Sequence, residues 1–251
     1  MQGENRFESA AYTGVREHFE SIFNAAARRH GLVQSVPGRP VRLRSKSRPP
    51  RRLSWKVTIG RPSCGSRERH RLFGLMLRAR PELGAGARTL HFAPEPLIAA
   101  ELKARAKEYR TADLRMAGCD LRLDIEALDL PDASVDLFVL NHVIEHVDDR
   151  KALAELHRCL APDGVAAIST PVVEGWRETY EDAGIAHGPD ERARILHFGW
   201  AGHRRWYGAD LRERIRAAGF GLEEFTAGGA DAVRYSLARG QTIFLARKTA
   251  R

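Results

Sequence analysis

The sequence predicts a doubly wound α/β fold, with a mostly parallel, seven-stranded sheet preceded by a helical, basic N-terminal extension. Three observations predict it. From residue 88 onward, short apolar runs alternate with amphipathic helical patterns, which is the pattern of parallel strands joined by right-handed helical crossovers. The run VDLFVL at 135–140 is almost wholly apolar, as a strand covered on both faces must be. The chain of 251 residues, 43% hydrophobic and 29% charged, can also bury a sizeable core.

Each element follows from its residues. Phe7, Ala11, Val15, Phe19, Ile22, Phe23 and Ala26 recur at helical spacing over 7–30, and Gly31 ends the pattern. Residues 35–52 join four prolines to dense Arg and Lys, a composition that sustains no helix and buries little, so a mobile arm is expected. A helix is expected over 66–80, with Leu72, Phe73, Leu75, Met76 and Leu77 as its apolar side. Strands are expected at 89–93, 109–112, 121–125, 135–140, 165–169, 222–226 and 241–247. Helices are expected at 97–106, at 149–160 before the Pro162-Asp163-Gly164 turn, and at 210–218 before Gly219. The organisation is therefore an extension over 1–80 and a sheet domain over 81–251.

The charge is uneven. The whole chain carries a formal net charge of +9, which would ordinarily suggest a nucleic-acid partner. Residues 28–80, however, hold 16 Lys and Arg against the single acid Glu68, while 81–251 hold 23 basic and 27 acidic residues. The basicity belongs to the extension, and the sheet domain is mildly acidic. No apolar run of about 18 residues is present, so no membrane span is expected. The first residues lack a signal-peptide pattern, and Cys64, Cys119 and Cys159 form no C-x-x-C pair. A cytoplasmic protein is the expectation.

In a doubly wound sheet, ligands bind at the carboxyl ends of the strands, where strand order reverses. Those ends read His91-Phe92-Ala93-Pro94-Glu95, then Asp113, then Asp124-Ile125, then Asn141-His142, then Thr170-Pro171. Asp113 stands about 20 residues past the first strand-to-helix turn, where an acid would hold a ribose diol; the competing reading is a plain turn cap. No G-x-G-x-x-G follows the first strand, and Pro94 and Pro96 remove backbone donors. A pyrophosphate is poorly served by such a turn; a nucleoside without phosphates is not.

The stretches TLHFAPE, YRTADL, LRLDIEALDLPDASVDLFVLNHVIEHVDD and LHRCLAPDGVAAISTPV together resemble the class I S-adenosylmethionine-dependent methyltransferases, in a bacterial branch that carries LHFAPE where most relatives have D-x-G-x-G. The resemblance covers residues 61 to about 247 and implies a Rossmann-like methyltransferase fold, S-adenosylmethionine as cofactor, and a small-molecule acceptor methylated on O, N or S. It implies that Phe92, Ala93, Pro94 and Glu95 line the methionine end, with Glu95 facing its ammonium. By the same resemblance, Asp113 holds the ribose, Asp124 and Ile125 flank the adenine, and Asn141 and His142 close over the methionine. His91 stands in place of the usual acid, and Ala93 and Glu95 in place of two glycines.

Should the acceptor be protonated, His142, Glu145, His146 and His203 are the candidate catalytic bases. Tyr180, His197, Arg205 and Tyr207 lie in the long segment after the fifth strand, where connections over a ligand edge form substrate walls; they are the candidate acceptor residues. Trp200 and Trp206 read as packing. His142-Val143-Ile144-Glu145-His146 also matches the H-x-x-E-H pattern of zinc peptidases, which places two histidines on one helix face; this is a minor alternative. Cys64 resembles a ligand of a zinc ribbon that has lost its partners, so 61–80 reads as a degenerate remnant and a helix, and no metal site is expected. Arg67, Arg69, His70 and Arg71 read either as contacts to an anionic substrate or as a solvated helix face. A non-enzymatic alternative is a methyltransferase-fold module, catalytically inactive, that binds nucleic acid through residues 28–80.

Overall fold

The computed structural model describes residues 66–248. The helix expected over 7–30, the arm at 35–52 and Cys64 lie outside the described residues.

Six strands form one sheet among the described residues, in the order β2-β1-β3-β4-β6-β5. They are β1 (Arg88–Phe92), β2 (Glu108–Ala112), β3 (Val135–Asn141), β4 (Leu160–Ser169), β5 (Phe220–Thr226) and β6 (Thr242–Lys248). The pairs β1–β2, β1–β3 and β3–β4 are parallel, and β6 runs antiparallel between β4 and β5. Strand order reverses between β1 and β3, so the carboxyl ends of these two strands flank the crevice in which such folds hold ligands.

The sheet is a middle layer. In β3, Phe138 and Leu140 enter one core with Leu153, Leu156, Leu211, Ile215 and Phe244. Leu137 and Val139 enter the other with Leu72, Phe73, Met76, Ile98 and Ile243. Burial on both faces explains why the β3 run lacks a polar alternation. Helices α1 (Glu68–Ala79) and α2 (Pro96–Arg105) cover the second face. Helix α3 (Asp149–Cys159) covers the first, with its start fixed by the Asp148 carboxylate accepting from the amides of Arg150 and Lys151. Short helices α4 (Ala183–Ala186), α5 (Glu191–Phe198), α6 (Leu211–Ala217) and α7 (Gly229–Arg234) complete the fold. None of the described helices is long and apolar enough to cross a membrane.

Two expectations change. The strand expected at 121–125 is reduced to a parallel bridge between Ala112 and Leu121 and an antiparallel one between Asp124 and Ala127. Asp120 is the cause: its carboxylate accepts from the Thr111 amide at 2.8 Å and from the Thr111 hydroxyl at 2.7 Å, taking a donor that a longer ladder beside β2 would use. The Pro162-Asp163-Gly164 turn, expected to separate helix from strand, is absorbed into β4, with a register shift against β3 between Val135 and Leu137.

The basic residues of α1 act within the molecule. Arg69 and His70 both reach Glu95, and Arg71 donates to the carbonyls of Tyr235 (2.6 Å), Ser236 (2.7 Å) and Ser66 (2.7 Å). A basic helix face that read as solvated or substrate-facing thus ties the helix to the turn before α2 and to the end of α7.

Candidate active site

A cleft of about 750 Å³ opens at the carboxyl ends of β1 and β2. Its inner wall includes Phe92, Ala93, Asp113, Asp124, Ile125 and Glu126, and its outer wall is made from Ala186, His187, Gly188, Glu191, Arg194, Trp200, Ala201, Gly202 and Arg204. Of the residues singled out for the ligand edge, five stand together on the inner wall. Ala93 holds φ 45°, the left-handed conformation that an L-residue adopts at a cost; the turn keeps the backbone shape of a glycine without the glycine. Asp113 does cap a turn, its Oδ1 accepting from the amides of Arg115 and Met116 at 2.7 Å each. Its other carboxylate oxygen takes no part in that turn, so capping and ligand binding are compatible.

Glu95, beyond Pro94 at the start of α2, lies outside this wall. Burial alone would raise its pKa, but Arg69 and His70 hold the carboxyl below the usual range. His91, in the position where the family carries an acid, is fully buried. Burial pulls its pKa down to about 4, so the imidazole is neutral; its Nδ1 lies 3.0 Å from the Tyr109 hydroxyl.

At the end of β3, Asn141 is 4% exposed, and neither its amide oxygen nor its amide nitrogen has a hydrogen-bond partner. His142 follows with φ 56° and donates its amide to the Ser169 carbonyl at 2.7 Å. The chain then makes a single 3-10 turn, Ile144–His146. Residues 142–146 therefore do not form the α-helix on which an H-x-x-E-H peptidase depends.

Glu145 is buried beneath that turn, with Oε2 accepting from the Thr170 hydroxyl at 2.9 Å and Oε1 standing 3.3 Å from His142 Nδ1. Burial would raise its pKa, yet His142 and His146 bring the carboxyl below its usual value. His203 reaches the same place from the outer wall, its ring centroid 4.8 Å from that of His146. Burial lowers the pKa of His203.

The candidate acceptor residues divide. Tyr180 bonds His197 Nδ1 at 2.5 Å, and the two rings stack outside the cleft lining. Arg205 and Tyr207 are 4% and 0% exposed. Arg205 donates to the carbonyls of Ile144 (3.0 Å) and Val147 (2.6 Å) and to Glu181, while the Tyr207 hydroxyl donates to Asp149 at 3.0 Å. Both side chains are committed inside the protein. Trp200, read as packing, is instead 55% exposed and lines the cleft with His187 and Arg194. Its place in a loop between two histidine-bearing stretches was the available signal.

A three-layer α/β unit with a cleft at the carboxyl ends of its strands is thus the fold of the described residues. Residues 74–168 match the family model of the methyltransferase domain. A methyltransferase from Burkholderia thailandensis, 1,6-didemethyltoxoflavin-N1-methyltransferase, solved with 1,6-didemethyltoxoflavin and S-adenosylhomocysteine bound, superposes with a TM-score of 0.50. It is 21% identical over 72% of this chain and 78% of its own. The YcgJ protein of Bacillus subtilis superposes with the same TM-score, at 15% identity over 72% of this chain and 100% of its own. No curated protein matches by sequence. The match to the methyltransferase-domain model thus spans residues 74–168, and the described sheet shares the fold of these solved proteins.

Proposed function

We propose that this protein binds S-adenosylmethionine along the inner wall of the cleft and methylates a small molecule held beneath the outer wall. The observation that carries the reading is Asn141. A buried amide with both polar atoms unpaired costs about 1–3 kcal/mol per group, and it sits at the strand end where the fold holds ligands. The inner wall of the cleft matches a nucleoside: Ile125 offers an apolar face for adenine, Asp124 a carboxylate for the adenine amino group, and Asp113 an acceptor for the ribose hydroxyls. Phe92, Ala93 and Pro94 border the methionine end, and Asn141 and His142 close over it.

S-adenosylmethionine, when bound, supplies a methyl group on an already activated sulfonium. The acceptor's lone pair forms the new bond to the methyl carbon as the carbon–sulfur bond breaks, and the sulfur leaves as a neutral thioether. Alignment is the protein's main contribution, and positioning can lower such a barrier by roughly 7–11 kcal/mol. Where the acceptor begins protonated, its proton passes to a base on the shared wall, for which His142, Glu145, His146 and His203 are the candidates. The exposed indole of Trp200 gives a flat apolar acceptor a surface on which to stack. The Burkholderia enzyme, which shares the fold, holds a small-molecule ligand beside S-adenosylhomocysteine, and that supports an acceptor of similar size.

Calorimetric titration with S-adenosylhomocysteine tests the reading: saturable binding is expected. Asp113→Ala is expected to lose about 1.5–3 kcal/mol of it, the worth of hydrogen bonds to a charged group. Asp113→Asn keeps an oxygen for the Arg115 and Met116 amides and loses only the carboxylate, so it separates turn from ligand. Unchanged affinity in a folded Asp113→Ala protein would remove Asp113 from the ribose site.

A further inference from the structure

The geometry points to a divalent transition-metal site formed by Glu145, His146 and His203, with His146 at the edge of the cleft. One ligand atom from each lies within 4.8 Å of the other two. His146 Nδ1 is 2.9 Å from the Gly202 carbonyl, and His203 Nδ1 is 3.0 Å from the Phe198 carbonyl. A carbonyl can only accept, so in both rings Nδ1 donates and Nε2 is the nitrogen left to face a ligand. That is how metal-binding histidines are held, with the far ring nitrogen donating to a backbone carbonyl that fixes tautomer and orientation.

The third donor is a carboxylate oxygen, Glu145 Oε1, which is buried and lacks a hydrogen-bond partner. Its neighbour Oε2 is anchored by the Thr170 hydroxyl, so the carboxylate is oriented as well. The nearest competitor is His142, whose Nδ1 stands 3.3 Å from Oε1. Two imidazoles and one carboxylate suit zinc or ferrous iron, and three protein ligands leave at least one coordination position open. His146 and Gly202 line the cleft, so an open position there is accessible from it.

The set is assembled from two parts of the fold. Glu145 and His146 come from the turn after β3, while His203 comes from the outer wall, which the Arg204 amide joins to the Glu145 carbonyl at 2.9 Å. An ion would therefore pin the outer wall to the sheet. If the methyl-transfer reading holds, it would also bind an oxygen of the acceptor and favour its deprotonated form; this last consequence rests on that reading, whereas the metal site does not.

The test is titration of the untagged, chelator-stripped full chain with Co²⁺, followed by visible absorption, and with Zn²⁺ by competition. Saturation at one ion per chain is expected, with His146→Ala, His203→Ala and the isosteric Glu145→Gln each weakening binding by about 100-fold or more, given that loss of even an outer partner costs 10–100-fold. Circular dichroism and S-adenosylhomocysteine affinity are recorded on the same samples. Lost metal binding with retained S-adenosylhomocysteine affinity supports the site. The absence of saturable binding at millimolar ion by the folded wild type, or binding that survives all three substitutions, overturns it. Failure to bind S-adenosylhomocysteine counts instead against the methyltransferase reading.

Discussion

Arg205→Ala is expected to cost about 3–5 kcal/mol of folding stability, the range for removing one partner of a buried ion pair. Arg205 is 4% exposed and reaches two backbone carbonyls, of Ile144 and Val147, together with the carboxylates of Glu181 at 2.5 Å and Asp149 at 3.9 Å. Removing it leaves Asp149, itself 2% exposed, with only Arg214 and the Tyr207 hydroxyl. Arg205→Lys restores the charge but not the planar fork that serves several acceptors at once, so it recovers only part of the loss. Tyr207→Phe removes a single hydroxyl and is expected to cost about 1–2 kcal/mol. Urea denaturation measures all three. A variant that melts like the wild type but fails to turn over an acceptor would return Arg205 to the acceptor site.

Acidification is expected to destabilise the protein through His91, by up to about 3 kcal/mol between roughly pH 6.5 and pH 4. The sign follows from burial. The folded imidazole has its pKa lowered from the ordinary 6.5 to about 4, with Glu95 opposing the shift but not reversing it. Across that interval the unfolded chain binds a proton that the folded chain refuses. Stability is therefore fully present above the unfolded value and is lost as the pH falls through the folded one. His91→Gln, which does not titrate, should flatten this part of the profile while losing some stability at neutral pH. Denaturant melts across the interval decide the matter: equal slopes for wild type and variant would show that the acid sensitivity originates elsewhere.

The sheet was legible because its signals are local. β3 is apolar in consecutive positions since both faces are covered, and the ends of β1 and β2 expose Ala93 and Asp113 wherever the helices happen to lie. Asp113 was readable only as an alternative between cap and ligand, and its two oxygens permit both. The third strand misled because Leu121, Leu123 and Ile125 alternate correctly, while the Asp120 side chain consumes a ladder donor that no periodicity records. Arg205 and Tyr207 looked like acceptor contacts because polar side chains in a long connection usually face solvent; what hides them is Asp149, 56 residues before Arg205 in the chain. The meeting of His203 with Glu145 and His146 was likewise invisible, since no spacing rule joins residues from two separate loops.

The outer wall bears on timing. It is fastened to the rim of the sheet by the Arg204–Glu126 ion pair at 3.1 Å and by the His146 contact to the Gly202 carbonyl. Both are partly exposed attachments that break and re-form quickly compared with the strands behind them. On the proposed reading, a spent thioether held between the two walls would leave only as fast as these fastenings open, and many enzymes with such lids are limited by release rather than by chemistry. Glu126→Gln should then shorten the dwell time of the demethylated product, so that a substitution away from the reacting atoms would speed steady-state turnover.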